Sequence, residues 1–266
     1  MNIGIFDSGI GGLTLLTQAR LSLPQENFIF YADTDHVPYG TKTKQEIISY
    51  VREVLQFMQK QDCKAVVIAC NTATAAAAKV VREEFDFPII GIEPAVKPAV
   101  AQSMGKRVMV IATPLTIKEE KLKNLVASVD DMHLVDLVAF PGLVTFAENH
   151  QFTGKEVEDY IKETLADYDM TQYSEFVLGC THFNYFKDSY AKIFPKGIQL
   201  IDGSEGTINQ LKRVLEQKQL LETSKEQGRV RYFYSGREAL EKKQLETFSM
   251  LCDRLDAMRR IKVTGQ

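Results

Sequence analysis

Short, nearly continuous apolar runs recur from one end of the chain to the other, separated by longer stretches of helical periodicity. The runs at 2–7 (NIGIFD), 28–32 (FIFYA), 65–69 (AVVIA), 88–92 (PIIGI), 107–112 (RVMVIA), 133–138 (HLVDLV), 175–179 (EFVLG), 198–201 (IQLI) and 230–234 (VRYFY) read as strands covered on both faces. Such strands need a helix layer on each side, so the alternation confines the chain to an α/β architecture with mainly parallel sheets. The intervening patterns place helices at 43–60, 72–85, 116–127, 154–167, 185–194, 205–220 and 237–258. Thr43 and Glu46 have capping-box spacing, and the alanine run inside 72–85 is a strong helix former.

A chain of 266 residues suffices for one large domain or two modest ones. No apolar run approaches the roughly 20 residues that cross a bilayer, and the opening MNIGIFDSGIGG lacks the basic region of a secretory signal, so no membrane and a cytoplasmic location are expected. The net charge of −3 argues against a nucleic-acid partner and favours a small one. Cysteines 63, 70, 180 and 252 form no CxxC pair, which excludes a zinc ribbon and a disulfide framework and leaves reactive thiols.

The chain repeats itself. IGIFDSG at 3–9, followed by the cysteine strand at 65–70, is echoed by VMVIATP at 108–114 and the cysteine strand at 175–180. Two similar α/β units follow, the second beginning near position 98. In open α/β sheets ligands collect beyond the carboxyl ends of strands. Asp7, Ser8, Asp33, Cys70, Asn71, Thr72, Thr113, Cys180, Thr181 and His182 all fall there. A thiol between a strand and a helix lies near free backbone N–H groups that favour its thiolate. Two such thiols, one per unit, point to a ligand approached from both sides, and proton transfer on opposite faces of one carbon inverts a stereocentre. Cys63 and Cys252 read as packing residues. The DSGIGG loop lacks a dinucleotide fingerprint or Walker lysine and suits a carboxylate; the PYG turn presents Tyr39 and the Gly40 amide.

FDSGIGGL at 6–13, PYG at 38–40, ACNTAT at 69–74, GIEPA at 91–95 and GCTH at 179–182, in that order, resemble the glutamate racemases of the aspartate/glutamate racemase family; IDGSEGT at 201–207 and FYSG at 233–236 extend the match. The resemblance implies two pseudo-symmetric three-layer α/β domains, 1–97 completed by 207–266 and 98–206, with the active site in the cleft between them. It implies cofactor-independent interconversion of L- and D-glutamate, the D-isomer feeding peptidoglycan and so cell-wall biogenesis and cell shape. Cys70 and Cys180 would transfer the protons. Asp7 would support the first thiol, with His182 and Glu148 supporting the second. Ser8, Tyr39, Gly40, Asn71, Thr72 and Thr181, beside Asp7 and His182, would bind substrate, with no metal. Asp33 matches a further family carboxylate. A homodimer is implied, whereas the gyrase restraint reported for some members is neither supported nor excluded. Ala32 replaces a common glycine and Phe183-Asn184 a usual Tyr-Pro, which touches loop geometry. Without the N-terminal extension of precursor-activated members, no activator requirement is expected. The competing readings are a sister enzyme for aspartate or another acid, against which Cys-Thr-His argues, and a non-catalytic anion-binding protein.

Overall fold

Side chains leave the first strand on both faces and find apolar partners on each. In the computed structural model, which describes residues 1–261, β1 (Asn2–Asp7) sends Ile3 and Ile5 into one core and Phe6 into another. The first sheet continues through β2 (Phe28–Ala32), β3 (Cys63–Ile68) and β4 (Ile89–Gly91). The second sheet comprises β5 (Arg107–Ala112), β6 (Val135–Ala139), β7 (Tyr173–Leu178) and β8 (Gln199–Asp202). The chain then returns, and β9 (Val230–Tyr234) and β10 (Arg237–Glu238) extend the first sheet beyond β2. All pairings are parallel except β9 with β10.

Strand order exposes the repeat. The first sheet runs β10-β9-β2-β1-β3-β4 and the second β6-β5-β7-β8, so the second reproduces the β2-β1-β3-β4 order strand for strand. A register slip between Asn2 and Ile3, against β3, recurs between Arg107 and Val108, against β7. In both sheets chain order reverses at the strand that ends in Asp7 or Ala112, which is where such folds open a crevice.

Helices fill both sides of each sheet. α1 (Leu13–Ser22), α10 (Ser204–Gln217) and α11 (Lys242–Arg259) cover one face of the first sheet; α2 (Lys44–Lys60) and α3 (Asn71–Val81) cover the other. On the second sheet α4 (Val96–Gln102), α5 (Pro114–Lys118) and α6 (Glu120–Ala127) lie on one side, and α7 (Pro141–Glu148), α8 (Lys155–Thr164) and α9 (Lys187–Ile193) on the other. Thr43 and Glu46 cap α2 reciprocally, as their spacing predicts. One apolar core is shared, running from Leu16 and Phe248 beside the first sheet to Phe176 and Phe186 beside the second. None of the helices among the described residues is long and apolar enough to cross a membrane.

Several boundaries differ from the sequence reading. The expected helix 116–127 is two, because Glu119 is extended (ψ 132°). Residues 185–194 begin as the 3-10 turn Thr181–Phe186 before α9. The segment expected to be helical from 237 first forms β10, with the helix starting at Lys242. α1, α4 and α7 were not expected. Positions 262–266 of the expected return segment lie outside the described residues.

Candidate active site

Each cysteine of interest stands two residues beyond a central strand: Cys70 after β3 and Cys180 after β7. Cys70 is the N-cap of α3, its sulfur accepting from the Ala73 N–H at 3.4 Å, and Ser8 Oγ lies 3.6 Å away. Cys180 precedes the turn Thr181–Phe186, and its Sγ lies 3.7 Å from His182 Nδ1. Both line one narrow pocket of about 60 Å³ between the two sheets. Ser8, Tyr39, Gly40, Asn71, Thr72, Thr181 and His182 line it too. A wider groove of about 790 Å³, bordered by Arg82, Lys97 and Lys218, contains neither cysteine.

Two expected residues stand behind the wall. Asp7, fully buried, accepts from the Ser8 N–H (2.9 Å) and from Thr181 Oγ1 (3.0 Å), so a carboxylate of the first unit orients a hydroxyl of the second. It faces Cys70 through Ser8 and through its charge, without a direct hydrogen bond. Glu148, at the end of α7, accepts from the Ile10 N–H (2.8 Å) and pairs with His182 Nε2 (2.5 Å).

Glycine permits this approach. A Cβ on Gly11 would lie 2.5 Å from both His182 Nδ1 and Thr181 Oγ1, and one on Gly9 would overlap Glu148 Oε1. Gly9 and Gly11 of DSGIGG thus make room for Glu148 and for the turn Thr181–Phe186 of the other unit.

Thr72 of α3, Thr113 at the N-cap of α5 and Thr116 within α5 close a triangle of buried hydroxyls, with Oγ separations of 3.0 to 3.2 Å, across the junction of the units. Thr113 lines the pocket, as do Pro38, Thr41, Pro114, Pro141 and Val144. The strand-end position of Thr113 was legible; the apolar wall was not. Asp33, buried, accepts from Tyr39 OH (2.6 Å) and Ser235 Oγ (3.0 Å) and fixes the tyrosine in place. Of the departures, Ala32 is buried at the end of β2, Phe183 packs in the core and Asn184 Nδ2 donates to Thr181 O at 3.4 Å.

The two sulfurs have unlike surroundings. Burial, then the Asp7 charge, pushes the Cys70 thiol well above its ordinary range, against the opposing Ala73 N–H and Ser8 hydroxyl. The Ala73 N–H favours the thiolate, as expected at a strand-to-helix junction, but burial outweighs it. Burial also raises the Asp7 carboxyl, which His182 and Thr181 oppose. For His182 burial opposes charge, yet contacts with the Cys180 sulfur and the Glu148 carboxylate outweigh it and raise the imidazole well above 6.5. Cys63 and Cys252 lie outside the pocket, their thiols pushed by burial to about 12 and about 11. Among the described residues no cluster of three or more His, Cys, Asp or Glu side chains is arranged to hold a metal ion.

Residues 13–211 match the Asp/Glu/Hydantoin racemase family. The glutamate racemase of Lachnospira eligens is 49% identical over 98% of this chain and 100% of its own. The crystal structure of glutamate racemase from Francisella tularensis in complex with D-glutamate is similar with a TM-score of 0.80 at 30% identity, covering 95% of this chain and 93% of that one. The Escherichia coli glutamate racemase, crystallised with L-glutamate and the activator UDP-MurNAc-ala, gives 0.81 at 26% identity over 96% and 95%.

Proposed function

The chain belongs to the Asp/Glu/Hydantoin racemase family, and from that membership we propose that Cys70 and Cys180 act as the two bases of a glutamate racemisation that needs no cofactor. The protein is an amino-acid racemase, and glutamate is its substrate. The observation that carries the mechanism is the pairing itself: equivalent positions of two equivalent sheets each deliver a sulfur to one pocket.

In one direction a thiolate at one cysteine takes the α-proton while the other cysteine, as a thiol, delivers a proton to the opposite face. The reverse direction exchanges the roles. A free thiol has a pKa of about 8.5, so each sulfur needs a neighbour that accepts or returns its proton. His182, 3.7 Å from Cys180 Sγ and charged through Glu148, is that neighbour on one side. On the other, Ser8 contacts Cys70, with Asp7 behind it.

Negative charge built on the substrate carboxylate in the transition state needs preorganised donors. Thr72 and Thr181 at the pocket wall, with Ser8 and the Tyr39-Gly40 turn, are assigned to the two carboxylates. Asn71 Oδ1, buried and without a hydrogen-bond partner among the described residues, is assigned to the ammonium. The domains are read as 1–97 with 207–266, and 98–206. The physiological reading is cytoplasmic supply of D-glutamate to peptidoglycan by a homodimer.

The test follows α-proton exchange in D₂O from each enantiomer separately, with aspartate assayed alongside. Cys70→Ser and Cys180→Ser are each expected to lose about 10²–10⁴-fold in racemisation. Each should retain one-way elimination from a β-leaving-group substrate of opposite handedness. Full racemisation by Cys180→Ser would falsify the two-base assignment.

A further inference from the structure

The last helix reaches into the second unit through one side chain. Arg254 of α11 donates from Nη2 and Nε to the Tyr185 carbonyl (2.7 and 3.1 Å), from Nη2 to both Asp188 oxygens (2.9 and 3.0 Å), and from Nη2 to the Phe152 carbonyl (3.4 Å). Its guanidinium lies 5.0 Å from the centre of the Phe152 ring, which stacks on Tyr185 (4.8 Å between centroids, 21° between planes). Tyr185 OH in turn reaches the Ile10 carbonyl of the glycine loop (3.2 Å).

Tyr185 belongs to the turn that carries His182, and Phe152 to the segment that follows Glu148. Neither carbonyl takes part in a helix or sheet ladder, and the guanidinium joins the Phe152–Tyr185 stack in tying the two segments together at this point. A planar fork with several donors can hold two carbonyls and a carboxylate at once; an ammonium cannot reproduce that geometry.

We propose that Arg254 is a positioning residue for the reaction, setting the contact between His182 and Glu148 by tying together the two segments that bear them. The inference rests on the two-cysteine reading of the site, because His182 matters to the chemistry only through Cys180. Arg254 touches neither sulfur, and its effect is transmitted through backbone carbonyls. It is distinct from a tie that merely adds stability, since it fixes a proton-transfer pair.

Arg254→Lys and Arg254→Gln are measured beside wild type for melting temperature, for kcat against pH, and for the α-deuterium isotope effect with each enantiomer. The expected losses in kcat are about 10-fold for lysine and about 100-fold for glutamine, the cost of misplacing a catalytic group by about 1 Å. The alkaline limb of the kcat profile should move to lower pH. The isotope effect should rise for one enantiomer only, the one whose elimination survives in Cys70→Ser and which therefore gives its proton to Cys180. Should the glutamine variant not fold, the lysine variant decides on the same criteria. Unchanged pH profiles and isotope effects, whatever the melting temperatures, would overturn the proposal. If that silence accompanies an inactive Cys180→Ser, only the role of Arg254 fails; an active Cys180→Ser removes the reading beneath it.

Discussion

The Cys70 thiol sits under a buried carboxylate, whereas Cys180 faces an imidazole that Glu148 helps to keep charged. Glu148→Gln removes the carboxylate charge, so the His182 pKa falls towards the ordinary imidazole value of about 6.5. A raised imidazole pKa stabilises the fold fully below about pH 6.5, and that contribution is lost as pH rises through the folded-state value. The variant should therefore melt lower than wild type in mild acid, with the gap closing towards alkaline pH, and the alkaline limb of its kcat profile should shift to lower pH. Calorimetry and rate profiles across that range check both; a gap that widens with pH would reverse the sign and refute the assignment. At this scale the polar residues that gather at and behind the pocket were legible because Cys, His and Asp at strand ends carry a signature by type. Pro141 and Val144 line the same pocket yet look like any other apolar residues, and Thr116 reveals itself only when α5 meets α3.

Junctions at the strand ends bring both cysteines to the pocket, and the glycine loop fits closely against the turn Thr181–Phe186. Gly11→Ala inserts a methyl group where His182 Nδ1 and Thr181 Oγ1 would each be 2.5 Å away. We expect a loss of about 100-fold in kcat, and overpacking that costs about 1–3 kcal/mol. Steady-state kinetics and denaturant unfolding measure the two effects independently; an unimpaired kcat would mean that the turn is free to retreat. The main strands were readable because both faces are buried and their residues are β-branched or aromatic. α1 was not, and the reason is physical: Leu13, Thr14, Leu15, Leu16, Thr17 and Ala19 are all buried, so no polar stripe marks a helical period. The break at Glu119 carries neither proline nor glycine to announce it. β10 is two residues long and antiparallel, too short for any pattern.

Across the whole molecule, the return of the chain to the first sheet is secured by a buried ion pair. Lys64 Nζ of β3 lies 2.6 Å from Glu26 Oε2, an electrostatic contact without hydrogen-bond alignment, and it donates to the Leu220 carbonyl; Glu26 Oε1 accepts from the Glu222 N–H. Both side chains are almost wholly buried, at 4% and 3% exposed. Removing one partner strands the other charge, which costs about 3–5 kcal/mol. Lys64→Met should lower the melting temperature by about 10 °C while leaving the pH dependence of kcat unchanged, since the pair is remote from the pocket. Coincident shifts in both would tie this clasp to the site and contradict that separation. The repeat of strand order was foreshadowed by matching motifs, whereas the shared core that fuses the two sheets depends on long-range packing that no local pattern encodes.

The unlike linings of the two thiols have a kinetic corollary. On the two-cysteine proposal, one turnover leaves the protons on the opposite sulfurs, so the protein that releases D-glutamate is primed for D-glutamate and must reset before it accepts another L-glutamate. Since the two enantiomers are equal in free energy, kcat/KM must be the same both ways, and the inequality of the walls is free to surface only in kcat and KM taken separately. Where that internal reset limits turnover at high substrate of one hand, a weak acid able to enter the pocket would speed turnover as a proton courier.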